Sequence, residues 1–216
     1  MSADTDSLVH HHAHHFNSAE EEFAAAKQGM WLFLVTEVLM IGSLFVLYSL
    51  FRGLYPEMFH EAHKLLNVKM GATNTVILIT SSVTMVLAVQ AAQRGQRDRS
   101  KGFIAATFLL GCGFLVVKAF EYHHKFVDGL LPGGLFTNTE LVHPKSSLFF
   151  SLYFMMTGLH AFHVIIGMGL MIWLYKRTAN KEFNPEYYTP IELFGFYWHF
   201  VDLVWIYLFP LLYLVS

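Results

Sequence analysis

Five apolar runs of about 20 residues each set the terms for this chain, because a helix of that length crosses a bilayer core of about 30 Å. Of its 216 residues 55% are hydrophobic and only 14% are charged. Soluble domains carry roughly a quarter charged residues, so the composition fits lipid as the solvent. Backbone groups in lipid must be bonded within their own segment, which makes each run a helix. The expected fold is all-α: one polytopic bundle of five transmembrane helices over 29–216, preceded by a flexible His/Glu-rich tail over 1–28. The spans are read as Met30–Phe51, Ala72–Gln93, Phe103–Phe126, Ser147–Tyr175 and Ile191–Leu214.

Turn chemistry separates the runs. Arg94 to Lys101 is short and basic, Asp128 to Ser146 holds Gly and Pro residues, and Asn184-Pro185 and Pro190 precede the last span. Lys27, Arg94, Arg97, Arg99, Lys101, Lys176, Arg177 and Lys181 fall on one side, and Arg52, Lys64, Lys69, Lys125 and Lys145 on the other. Eight against five, by the positive-inside rule, places the N-terminus inside and the C-terminus outside. No signal-peptide core is visible. The single cysteine, Cys112, excludes an intrachain disulfide. A net charge of −2 with no basic face speaks against nucleic-acid binding.

Function has to be sought in the ionisable residues inside the spans, since each costs several kcal/mol in hydrocarbon unless paired. His199 and Asp202 stand i,i+3 on one face of the last span, and that face must turn toward protein. Counting rise per residue, Glu37, His160, His163, His199 and Asp202 share an inner-to-middle layer, and Glu121 lies roughly 10 Å or more nearer the other side. The plain role for such groups is helix–helix glue; for Glu37, paired or protonated, proton handling is the alternative. His160–His163 (HxxH) and Glu121–His124 (ExxH) resemble metal-ligand spacings. Their depths keep them apart, so no intrinsic metal or haem site is expected. The run His10-His11-His12-Ala13-His14-His15 reads as solvated tail that could bind Zn²⁺ loosely. Glycines 111, 113, 158, 167 and 169 and the Thr80-Ser81-Ser82 run mark close helix contacts.

In order along the chain, WLFLVTEVLMIGSLF at 31–45, Asn74-Thr75 with ILITSS at 77–82, Phe120-Glu121-Tyr122, TGLHAFHVIIG at 157–167 and YWHFVDLVW at 197–205 resemble subunit III of haem–copper cytochrome c oxidase. The chain resembles the bacterial five-helix form, which lacks the first two helices of the seven-span form. The resemblance implies a core subunit with no catalytic or redox centre of its own, in the bacterial inner membrane. It would support aerobic respiration and proton translocation by packing on subunit I beside subunit II, whose haems and copper do the chemistry. It also implies bound phospholipid, with Arg177 matching a basic residue associated with lipid head groups. Subunit III of a quinol oxidase and an accessory subunit of a nitric oxide reductase are the near alternatives; an integral-membrane di-metal enzyme is the distant one.

Overall fold

The computed structural model describes residues 16, 18–132, 136 and 146–214. The His10–His15 run, Lys145 and much of the Asp128–Ser146 connector lie outside the described residues. The elements are α1 (Ala19–Leu54), α2 (Pro56–His63), α3 (Val68–Gln93), α4 (Arg97–Val127), α5 (Ser146–Ala179) and α6 (Thr189–Phe209), which runs on into a π-helical turn, Pro210–Leu214. No strand occurs among the described residues. Five of these helices are long and apolar enough to cross a membrane.

Local chemistry sets the ends. Ser18 caps α1 by accepting from the Glu21 amide at 3.1 Å, and Glu20, Glu21 and Glu22 complement the helix dipole in the first turn. This start at Ala19 lies well before the expected Met30, because the Ala/Glu-rich segment between them has high helix propensity without being apolar. Pro56 cannot extend α1 but suits the first position of α2. Asn67 caps α3 by accepting from the amides of Lys69 and Met70.

Three helices end in the same hydrogen-bond pattern. Gln96 and Gly95 donate back to Ala91 and Ala92; Leu130 and Gly129 donate to Lys125 and Phe126. Glu182 and Lys181 donate to Arg177 and Thr178. This closure needs a left-handed residue, supplied by Gly95 and Gly129, both at φ 67°, and by Lys181 at φ 65°. Arg97 reinforces the third end: its Nε donates to the Thr178 carbonyl at 2.8 Å and its Nη2 to that of Ala179. The α3–α4 turn and the end of α5 therefore sit together on one side.

Helices α3 to α6 form the packed unit. α3 and α4 make a tight hairpin, α6 lies across α3 and α5, and α4 packs on α5. α1 rests against this unit through a narrow seam, Leu34, Ile41 and Tyr48, one residue per seven. Its other faces leave Leu32, Leu39 and Val46 exposed, as suits a surface meeting lipid or another membrane protein. α2 is amphipathic and docks by Phe59, whose ring stands edge-on to Tyr48 and Phe149.

Candidate functional site

The polar groups inside the bundle fall into three sets. The first joins α1 to α5. His163 Nε2 lies 3.1 Å from Glu37 Oε2, while His163 Nδ1 lies 2.8 Å from the Leu159 carbonyl. A carbonyl can only accept, so Nδ1 carries a hydrogen. Nε2 then either accepts from a protonated Glu37 or donates to its carboxylate. Both states hold one shared proton, and both leave the pair neutral, which is how an acid survives at this depth. The Tyr197 hydroxyl donates to the His163 carbonyl at 2.8 Å, fixing α6 to the same turn.

The second set is a ladder between α3 and α6. Thr75 accepts from Trp205 Nε1 and Ser81 from Trp198 Nε1, each at 3.1 Å; Ser82 Oγ lies 2.7 Å from His199 Nδ1. The Ser81 and Ser82 hydroxyls also face Asp202. Ser81 donates to the Leu78 carbonyl, and Ser82 Oγ shares a hydrogen bond with His199 Nδ1 whose direction follows the His199 tautomer. Neither Asp202 oxygen has a hydrogen-bond partner among the described residues.

The third set is built around Lys118, whose side chain is 3% exposed. Its ammonium donates to Glu121 Oε2 at 2.8 Å, to the Tyr213 hydroxyl at 3.1 Å and to the Tyr153 hydroxyl at 3.3 Å. Three donors meet three acceptors. Tyr213 donates to Glu121 Oε1 at 2.6 Å. The rings of Tyr122, Tyr153, Trp205 and Tyr213 surround the cation at 4.9–5.7 Å. Pro210 lacks an amide hydrogen and ends the α-helical ladder of α6; the π-helical turn that follows carries Tyr213, which packs on Trp205 and reaches Glu121.

The residues expected from the sequence are thus divided among these sets. Of the three histidines at similar depth to Glu37, His163 takes the bond. His160 instead packs edge-on to Phe114 and against Trp205, the ring that also covers Lys118. His199 and Asp202 do share the α3-facing side of α6. Lys118 and Tyr213 complete the third network although the sequence reading assigns them no part in it; a Lys and a Glu three apart inside an apolar run is the available signal. Among the described residues no three His, Cys, Asp or Glu side chains converge as metal ligands. In the ExxH pair, Glu121 is held by Lys118 and Tyr213, and His124 Nδ1 bonds the Phe120 carbonyl. Outside the core, Lys27 pairs with Glu192 at 3.0 Å, tying α1 to the start of α6. Arg177 pairs with Glu182 at 2.5 Å, between the rings of Trp173 and Phe183.

Comparison with known proteins adds the context for this geometry. The sequence profile of the family described as cytochrome c oxidase subunit III matches residues 7–216. Cytochrome c oxidase subunit 3 of Corynebacterium diphtheriae is 34% identical over 190 residues, covering 87% of each chain. A probable cytochrome c oxidase subunit 3 of Mycobacterium tuberculosis is 31% identical, over 87% of this chain and 86% of that one. Cytochrome bo(3) ubiquinol oxidase subunit 3 of Pseudomonas putida is 29% identical, over 87% and 84%. A match that spans nearly the whole chain places this protein in the cytochrome c oxidase subunit III family.

Proposed function

We propose that the chain is the non-redox core subunit of a proton-pumping haem–copper oxidase that takes electrons from cytochrome c. In this reading it lies in the bacterial inner membrane with its N-terminus inside and its C-terminus outside. It packs on subunit I through spans whose apolar faces its own bundle leaves open, and electron entry and oxygen reduction belong to subunits I and II. Bound phospholipid near Arg177 and support of proton uptake are part of the same reading. The observation that carries it is the match over residues 7–216. The choice of cytochrome c over quinol follows the higher identity, 34% against 29%.

Purification through this chain in mild detergent should yield a haem spectrum, co-purifying large subunits, and oxygen uptake with reduced cytochrome c. Uptake with ubiquinol alone would move the chain to the quinol branch, and a colourless lone polypeptide would overturn the reading. Within the complex, Glu37→Gln should assemble at wild-type levels. The glutamine amide can donate to His163 Nε2 while His163 keeps its bond to Leu159, so the pair stays neutral and satisfied. Loss of assembly in this variant would show that a carboxyl group itself is required there.

A further inference from the structure

Asp202 is 2% exposed, and neither of its oxygens has a hydrogen-bond partner among the described residues. No ion pair reaches it among those residues, and the buried cation Lys118 spends its three donors on Glu121, Tyr153 and Tyr213. What faces the carboxyl is a pair of hydroxyls on α3, Ser81 and Ser82. Counting hydrogens decides what they can offer. Ser81 gives its one hydroxyl hydrogen to the Leu78 carbonyl and accepts from Trp198 Nε1, so toward Asp202 it can only accept. Ser82 has one hydrogen and two claimants, His199 Nδ1 at 2.7 Å and Asp202. While Nδ1 takes that hydrogen, neither serine has a donor left for Asp202. A carboxylate in the membrane interior without a donor costs several kcal/mol, and the neutral acid avoids that cost.

We infer that Asp202, Ser82 and His199 form a two-position proton site inside the membrane, a function outside the scaffold role proposed above. In the first position the proton is on Asp202, which donates to Ser82 Oγ, and Ser82 donates to His199 Nδ1. In the second, Asp202 has passed its proton to Ser82 and Ser82 its own to Nδ1. One O–H bond breaks at Asp202, one N–H bond forms at His199, and Ser82 keeps a hydroxyl that now donates to the carboxylate. His199 holds a hydrogen on Nε2 throughout, so it becomes an imidazolium joined to a carboxylate through one hydroxyl. Separating charge in a low dielectric is costly, which makes the first position the ground state. His199 is half-buried, and its Nε2 is neither bonded among the described residues nor enclosed. The imidazolium therefore has an outlet: it releases the Nε2 hydrogen at the bundle surface, and the buried acid exchanges its proton without the helices parting. The i,i+3 spacing puts both ends of the relay on one face of α6, and Ser82 bridges them from α3.

The test is infrared difference spectroscopy on the whole purified complex, wild type against Asp202→Asn. The C=O stretch of a protonated carboxyl lies apart from the carboxylate and amide bands and shifts in D₂O. One such band should be present in the wild type and lost in the variant. Asp202→Asn should assemble with wild-type haem content, because an amide matches a neutral acid in shape and can donate to the same serines. The rate at which the band shifts after transfer to D₂O reads the outlet. Ser82→Ala should slow it by about tenfold or more, since exchange must then await local opening between α3 and α6. Ser82→Thr, which keeps the hydroxyl, should restore the wild-type rate. No band tied to Asp202, failure of Asp202→Asn to assemble, wild-type exchange in Ser82→Ala or slow exchange in Ser82→Thr would each overturn the assignment. None of these readouts depends on whether the complex oxidises cytochrome c or a quinol.

Discussion

Lys118→Met should destabilise the bundle by about 3–5 kcal/mol, the range seen when one member of a buried ion pair is removed. The substitution keeps most of the side-chain volume and deletes the charge. Glu121, only 2% exposed, would then keep the Tyr213 hydroxyl and lose its cation. Tyr153 would retain only the 3.1 Å bond between the two tyrosine hydroxyls. The double variant Lys118→Met/Glu121→Leu separates the value of the pair from the cost of breaking it. Replacing both partners by apolar groups of similar size is often neutral or stabilising, so the double variant should recover most of the loss. The measurement is the temperature at which the detergent-solubilised complex releases this chain, followed together with its haem absorbance. A single variant as stable as the unmodified protein would show that the network contributes nothing to holding α4, α5 and the end of α6 together.

That network also shows how far the sequence could be read. Hydropathy located five spans because the length of an apolar run answers directly to bilayer thickness. Their ends were less legible. α1 extends back to Ala19 on helix propensity and a serine cap, neither of which raises hydropathy. α2 went unread because eight residues with an amphipathic pattern give no membrane signal. Depth along a helix follows from counting residues, so Glu37 and its histidine partners could be placed in one layer. Rotation about the helix axis does not follow from counting, and it decided between His160 and His163. Tyr213 was the least accessible of all: its position depends on a π-helical turn after Pro210, which shifts every later side chain around the axis relative to an α-helical continuation. The Ser/Thr run of α3 was read as a close contact without its partners; the structure supplies them as Trp205, Trp198 and His199.

A second large effect is expected at Gly167. A Cβ placed there would lie 2.7 Å from Trp198 Cζ3, 2.9 Å from Cε3 and 3.2 Å from Tyr197 Cε1. Neither ring is free to withdraw. Trp198 Nε1 is held by Ser81 on α3, the Tyr197 hydroxyl by the His163 carbonyl, and the far edge of the Trp198 ring would already lie 3.4 Å from a Cβ at Gly111 on α4. The indole therefore occupies a slot between glycines of two helices while a third helix grips its nitrogen. Gly167→Ala must push α5 away from α6, and overpacking of this kind costs typically about 1–3 kcal/mol; with both rings pinned, a loss of about 3 kcal/mol is expected. Gly169→Ala is the control, because nothing lies within 4 Å of its added methyl group. It should leave stability unchanged or raise it by up to about 1 kcal/mol through helix propensity. Opposite signs for two identical substitutions two residues apart would tie the effect to the Trp198 slot. Equal effects would instead point to a general response of α5 to losing a glycine, and the slot would have no special part in how these helices meet.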